Sequence, residues 1–311
     1  MKYITNLDEN CMEDIKNLGG KARNLVELCK IKEINVPRGV CVKSIAFDEF
    51  SNPICLPSFI YKINDIKGSS VEIKKNIKHQ PISKQMIREI MNGIENLREP
   101  FVVRSSAILE DSKKYSFAGQ QDSFLNVKRI DVMDAIKSCW ASLYNSRALS
   151  YRLNIGIEEI GSIGVVIQEM ILAEKSGVIA TAHPITGNKD NILINANWGF
   201  GETVVLGEVN PDEYYIRKID SKILRRTINK KTIMECLEKG KLIKKDICND
   251  PKSEQSCLSD KDILDLCHAS LKIEEYFKRN YDIENQDIEF VIDHKINIVQ
   301  SRPLQLGKQK H

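Results

Sequence analysis

No two of the nine cysteines in this 311-residue sequence, at 11, 29, 41, 55, 139, 236, 248, 257 and 267, have CxxC spacing, and their number is odd. That argues against a disulfide framework and a structural zinc site, and predicts reduced thiols that fill small core spaces in a cytoplasmic protein. No apolar run approaches the roughly 20 residues that a membrane-spanning helix needs. The N-terminus, MKYITNLDEN, lacks the charged-then-apolar pattern of a secretion signal. An excess of one charge is also missing: 46 basic and 43 acidic residues leave a formal net charge of +3. That balance gives no support for wholesale nucleic-acid binding. The GxxxxGK[ST] phosphate loop is absent, as are internal repeats and low-complexity tracts.

What is present is ordinary for a soluble globular chain, 42% hydrophobic and 29% charged, and long enough for two or three subdomains. Gly19-Gly20 opens a helix over 19–30 with Leu25, Leu28 and Cys29 on its buried side. The lysine- and isoleucine-rich stretch 51–100 reads as a solvated helical layer, with a helix near 84–97. Residues 130–152 have helical spacing of Ile136, Cys139, Trp140, Leu143, Ala148 and Tyr151 behind Asp131 as a cap. Strand-like pieces follow at 165–170, 177–181, 191–196 and 213–218, separated by turns rich in Gly, Pro, Asn and Asp. Residues 219–258, with Arg225, Arg226, Lys230 and Lys231, carry no aromatic interleaving and read as a solvated strand pair and loop. A final helix is expected from Ser259, with Asp262 completing its cap and Ile263, Leu266, Cys267, Leu271 and Phe277 as its face.

Two distant stretches carry polar chemistry. The runs IEFVID and INIVQ flank His294-Lys295, and a two-residue turn there sets Glu289 opposite Gln300 and Asp287 opposite Arg302. Side chains alternate along a strand, so these four share one face, with Val291 and Ile298 nearer the turn. Two carboxylates and an amide carbonyl are hard oxygen ligands suited to Mg²⁺, and arginine matches a phosphate bidentately. The plain alternative is a surface ribbon with one Asp–Arg pair, worth at most about 1 kcal/mol when exposed. The second stretch is Arg104-Ser105-Ser106, expected where the strand Phe101-Val102-Val103 ends, followed by Glu110-Asp111 and the loop around Gly119 and Gln120. A fixed cation beside hydroxyls and a glycine that admits close backbone approach suit a phosphate. Lys21, at the start of the first long helix, could meet the same anion, or be an ordinary helix-start lysine. Together these groups read as the parts of an ATP-using phosphotransfer domain.

The blocks GGKARNL, VPRGV, VVRSSAILED, SFAGQQDSFLNV, VVIQEM, SGVIATAHP, NWGFGETVVLGEVNPDEY and DIEF…IVQSRPL follow one another in an order shared with a known family. They resemble the ATP-binding domain of pyruvate phosphate dikinase, phosphoenolpyruvate synthase and rifampicin phosphotransferase, from about residue 15 to 305. The resemblance implies an α/β fold of ATP-grasp-like type, two lobes closing over ATP and magnesium, divided at about 1–190 and 191–311. It implies that Lys21 and Arg104 contact phosphates, that Gly119 and Gln120 cover them, and that Gln168, Glu169 and Met170 read the adenine edge. Glu289 and Gln300 would hold Mg²⁺, with Asp287 on a further acidic position and Arg302 on the transferring phosphoryl group; Lys21, Arg104 and Arg302 are the implied catalytic groups.

Three positions depart from the family pattern: His183 for Asp or Asn before proline, Phe200 for leucine, and Arg23 for a small residue. Full-length relatives carry a swivelling phosphohistidine domain and an acceptor domain, and neither is expected in this chain. None of its histidines (79, 183, 268, 294 and 311) stands in a glycine- and threonine-rich Ser-His-Ala loop. The expected role is an ATP-binding subunit that phosphorylates a histidine on a separate partner protein, which passes phosphate to a small-molecule acceptor and leaves AMP and phosphate. A kinase acting directly on a small molecule and a regulatory ATP-binding module are the alternatives.

Overall fold

The protein is described here by a computed structural model covering residues 1–59, 63, 65–108 and 122–306. It is mixed α/β, with antiparallel sheets and packed helices, in two compact units. Unit 1 comprises Met1–Val26 and Arg38–Met170, and unit 2 comprises Glu27–Pro37 and Ile171–His311.

Unit 1 is built on strands β1 (Ile4–Asn6), β2 (Gly39–Val42), β3 (Phe101–Ala107), β4 (Ser123–Val127) and β5 (Ile163–Glu169), in the order β1-β2-β5-β3-β4. All of β5 is buried, lying between β2 and β3 with the helices Ile15–Leu18, Ser44–Ser51 and Val132–Ser142 packed against it, which explains why residues 163–167 form a continuous apolar run rather than an alternating one. The helices are α1 (Ile15–Leu18), α2 (Gly20–Cys29), α3 (Ser44–Ser51), α4 (Ile66–His79), α5 (Lys84–Gly93), α6 (Val132–Ser142) and α7 (Ser146–Asn154). Trp140 of α6 is fully buried, with its ring 4.6 Å from that of Phe50 and 6.0 Å from that of Phe47. The continuous helix expected over 130–152 is two helices. Asn145 leaves helical geometry (φ −58, ψ 134), and the turn before it buries both Leu143 and Tyr144. Asp131 stands at the start of α6, but its side chain makes no cap bond.

Unit 2 contains β6 (Lys175–Ala180), β7 (Asn191–Trp198), β8 (Asp212–Arg217), β9 (Lys222–Thr227), the ribbon β10 (Ile233–Glu238) and β11 (Lys241–Asp246), and β12 (Gln286–Ile292) with β13 (Ile296–Pro303). Six of them form a sheet in the order β13-β12-β6-β7-β8-β9. The division falls at 170/171 rather than 190/191, because β6 pairs with β7 on one side and β12 on the other. Ile179, Ile194, Tyr214, Ile216, Ile288 and Phe290 are buried in this unit. Helix α9 (Asp260–Tyr281) lies against β12 and β13 and opens with the expected capping box, the Ser259 hydroxyl and Asp262 carboxylate each meeting the other's backbone N–H. Its buried face includes Ser270 and Ile273, while Leu271 is only half-buried. Helix α8 (Glu202–Val205) is a single turn.

Two details of unit 2 explain sequence features. Lys231, expected on a solvated basic segment, is completely buried, and its Nζ lies 2.6 Å from Asp212 Oδ1. The departure at His183 also has a local cause. Its Nδ1 accepts hydrogen bonds from the N–H groups of Ile185 and Thr186, each at 3.2 Å. An Asp or Asn side-chain oxygen makes the same turn-closing bonds, so the imidazole substitutes for it with the proton on Nε2. His183→Asn is therefore expected to leave stability within about 0.5 kcal/mol, whereas His183→Phe should cost about 1 kcal/mol by orphaning two donors, read by chemical denaturation. Equal stability of the two variants would remove this role from His183.

Candidate functional site

The tie between Lys21 and Arg104 that the sequence left open is made by backbone. Gly19 has φ +79, and a Cβ there would lie 1.9 Å from the carbonyl oxygen of Ser106. Only glycine admits that approach. The Ser106 hydroxyl, fully buried, accepts a hydrogen bond from the N–H of Ala22 at 3.0 Å. These contacts fix the first turn of α2, and so Lys21, against the strand that carries Arg104. Lys21 is 7% exposed and Arg104 is half-buried. Ser106 was a recognisable serine, but nothing in the sequence showed which donor it serves.

Arg104 itself does not end a strand. β3 continues to Ala107, and Arg104 pairs with Ser123 of β4 and Val166 of β5. The polar Arg-Ser-Ser run continues the ladder because β5 supplies partners as far as Ile163. Gly119 and Gln120 lie outside the described residues.

At the end of β5, Gln168, Glu169 and Met170 are all buried. The Glu169 carboxylate is already engaged: Oε1 accepts from the Arg98 N–H at 3.1 Å, and Oε2 accepts from the Arg98 guanidinium at 3.1 and 3.3 Å, with Arg38 3.7 Å away. The N–H of Glu169 donates to the Arg38 carbonyl, and that of Met170 to the Pro100 carbonyl. Arg98 and Arg38 were not singled out in the sequence, since an arginine outside a motif gives no signal of its own.

The C-terminal hairpin places the other groups. Asp287 pairs with Arg302, and Glu289 with Gln300, as expected. The route to that register differs. The loop has three residues, with Ile292 opposite Ile296, and a bulge at Val299 then restores the alignment. One consequence is a correction: Ile298 pairs with Phe290 on the buried face, so it does not share the face of Val291.

On the polar face, Arg302 sends Nε and a terminal nitrogen to the same oxygen, Asp287 Oδ2, at 2.9 and 2.7 Å. Burial is the main influence on Asp287 and raises its pKa above the usual carboxylate range. Arg302 pulls it down again, and the neighbouring Glu289 charge pushes it up. Gln300 is 5% exposed. Among the described residues no group of three or more His, Cys, Asp or Glu is placed to hold a metal ion. The donor set that could do so is Asp287, Glu289 and the Gln300 carbonyl. This matches the habit of Mg²⁺, which takes one or two carboxylates and leaves its other positions to water and phosphate oxygens.

Within NWGFGETVVLGEVNPDEY, Gly199 and Phe200 have structural roles. Gly199 (φ +75) brings its backbone so close to Glu235 that a Cβ would lie 1.9 Å from that carbonyl oxygen, and Phe200 N–H donates to it at 2.8 Å. Phe200 is 5% exposed, so its departure from leucine is a matter of packing.

Gly19→Ala would test the backbone tie. It should cost about 1–3 kcal/mol of stability through forced φ and steric displacement. A variant as stable as the wild type would show that α2 is not held in this way.

Comparison with known proteins agrees with this arrangement of blocks. Residues 15–311 match the family model described as pyruvate phosphate dikinase, AMP/ATP-binding domain. A probable phosphoenolpyruvate synthase of Methanothermobacter thermautotrophicus is 35% identical over 98% of this chain and 46% of its own length. Another, from Archaeoglobus fulgidus, is 36% identical over 97% of this chain and 41% of its own. Rifampicin phosphotransferase of Bacillus cereus is 36% identical over 92% of this chain and 34% of its own. The chain thus spans less than half the length of these relatives. Among solved structures, acetyl-coenzyme A synthetase 1 of Ca. Korarchaeum cryptofilum overlaps 69% of this chain and 80% of its own at 12% identity, with a TM-score of 0.37, too loose to carry an argument. No described helix is long and apolar enough to cross a membrane. The match across nearly the whole sequence decides the matter: the chain belongs to the pyruvate phosphate dikinase AMP/ATP-binding domain family.

Proposed function

We propose that this chain binds Mg-ATP and transfers its β,γ-diphosphoryl group to a histidine on a separate partner protein with release of AMP, after which water cleaves the outer phosphate and a small-molecule acceptor takes the remaining phosphoryl group from the histidine, leaving AMP and phosphate overall. The observation that carries the reading is the hairpin register, which gathers Asp287, Glu289, Gln300 and Arg302 on one face. Family membership supports ATP as the nucleotide, and the relatives named phosphoenolpyruvate synthase and rifampicin phosphotransferase support phosphoryl transfer as the reaction class.

In unit 1, Lys21 and Arg104 neutralise phosphate charge from positions fixed by the Gly19–Ser106 contact, so little reorganisation is needed during transfer. Gln168, Glu169 and Met170 line the adenine edge, with Arg98 and Arg38 fixing the Glu169 side chain. In unit 2, Asp287, Glu289 and Gln300 hold the metal, and Arg302 neutralises the phosphoryl group in transit. Magnesium, when bound, supplies further charge neutralisation to the phosphate oxygens. The chain's part is positioning and electrostatics, the main requirements of phosphoryl transfer.

Product analysis tests the proposal. The chain and ATP are incubated with and without a protein bearing a Ser-His-Ala loop. AMP formation together with acid-labile, histidine-linked phosphate on that protein is expected. ADP formed by the chain alone with a small acceptor would replace this reading with direct kinase action, and calorimetric ATP binding without product under any acceptor would replace it with a regulatory role.

A further inference from the structure

The ribbon β10–β11 of unit 2 holds a buried acid that the proposed chemistry does not use. Glu235 of β10 is 6% exposed, and its Oε2 is buried with no hydrogen-bond partner. An ionised carboxylate is costly in such a place, whereas a neutral carboxyl carries its own donor. Lys244 stands directly opposite Glu235 on the same face of the ribbon. Its ammonium is committed elsewhere, to the two oxygens of Glu208 at 2.8 and 2.6 Å. The other charges that act on Glu235 are those of Glu202, in the first turn of α8, and of Glu208 itself, just beyond that helix. From β7 the neighbouring side chain is neutral: Asn197 sends Nδ2 to the Ile233 carbonyl at 3.0 Å and to the Thr203 hydroxyl at 3.2 Å. No group of three metal-ligating side chains is placed here among the described residues, so the group that suits this oxygen is a proton.

Glu235 is also where the ribbon is fastened. Its carbonyl accepts the Phe200 N–H at 2.8 Å, and Gly199 approaches that carbonyl too closely to bear a side chain. Helix α8 packs on β10 as well as on β6 and β7. Backbone tie and buried carboxyl thus belong to one attachment, and a charge appearing on the side chain acts on the attachment itself.

We propose that Glu235 is a proton-dependent latch: with its proton the carboxyl seats the β10–β11 ribbon against Gly199, Phe200 and α8, and once the proton has passed to water the ribbon loosens. The carboxylate left behind faces Glu202 and Glu208 and competes with Glu208 for Lys244. Burial is the main influence on this carboxyl and raises its pKa, the Glu202 charge raises it further, Lys244 opposes the rise, and Glu208 adds to it. Because the folded value lies above the unfolded one, the stabilisation is complete below the unfolded value and is lost as pH rises through the folded value. Asp287 shifts in the same direction, so the readout has to be local to the ribbon.

Hydrogen exchange of the whole chain tests the latch, read on residues 233–246 between about pH 5 and about pH 8 and corrected for the intrinsic rate. Protection of the ribbon should fall by at least about threefold over this range in the wild type. Glu235→Gln keeps the shape and stays neutral, so its ribbon protection should not change with pH. Glu202→Gln removes a charge that disfavours ionisation, so the fall should begin at lower pH. Wild-type protection that does not change with pH overturns the proposal, as does a fall that persists in Glu235→Gln, or one that Glu202→Gln leaves in place or moves to higher pH. Where Glu235→Gln does not fold, as circular dichroism would show, the displacement in Glu202→Gln decides by itself.

Discussion

Lys231→Met is expected to lower the unfolding free energy by about 3–5 kcal/mol, because it leaves a buried carboxylate without its counter-charge. Lys231 and Asp212 are both completely buried, 2.6 Å apart. The rest of the network is satisfied by neighbours: Asp212 also accepts from the N–H groups of Asn229 and Cys257, and Lys231 donates to the Asn229 carbonyl at 2.9 Å. Burial beside this acid also drives the Cys257 thiol and the Tyr214 hydroxyl to ionise well above their ordinary ranges. Replacing both partners with apolar groups can be neutral for a simple buried pair. Here the double variant Asp212→Leu with Lys231→Met should remain destabilised, since the Asn229 and Cys257 donors would lose their acceptor. Urea denaturation of the three variants checks this, and a double variant as stable as the wild type would show that Asp212 serves only Lys231.

Arg302→Ala is expected to reduce ATP-dependent phosphoryl transfer by roughly 10³-fold or more, on the scale of losing a cation that neutralises a transferring phosphoryl group. Its second effect follows from the Asp287 contact. Arg302 opposes the rise that burial and Glu289 impose on the Asp287 carboxyl. Without it that carboxyl should protonate at still higher pH, and metal affinity, which needs the carboxylate, should fall away at a higher pH than in the wild type. Glu289→Gln removes the neighbouring negative charge and should lower the Asp287 pKa, though it also removes a metal ligand. The stability effect has the opposite sense. Because the folded pKa of Asp287 lies above its unfolded value, its contribution to stability is present at low pH and is lost as pH rises through the folded value. Measuring Mg²⁺ affinity against pH separates these effects. A variant with wild-type turnover and an unmoved metal–pH profile would remove Arg302 from both roles.

The two ends of the candidate site were legible to different degrees. The pairings Asp287 with Arg302 and Glu289 with Gln300 came from alternation and a nearby turn, and they hold even though the loop has three residues and β13 contains a bulge. The two irregularities each shift the register by one residue in opposite senses, so they cancel beyond Val299. Ile298, which lies between them, is where the expectation failed. The capping box of Ser259 and Asp262 was equally readable, since its groups are three residues apart.

The adenine-edge segment was less complete. Glu169 is paired with an arginine 71 residues away, and no local pattern marks such a partner. The same holds for Lys231, whose basic neighbours in sequence suggested a solvated segment while Asp212 drew it into the interior.

By itself the sequence determined this protein's family, its antiparallel hairpin with four polar groups on one face, and the capping box of its last helix. These are short-range properties, or ordered motifs, that neighbouring residues encode directly. Tertiary structure alone decided which distant groups meet: Gly19 against Ser106, Asp212 against Lys231, and Arg98 against Glu169. Such partners are distant along the chain, and a polar side chain can be assigned one only after packing has removed the water that would otherwise satisfy it.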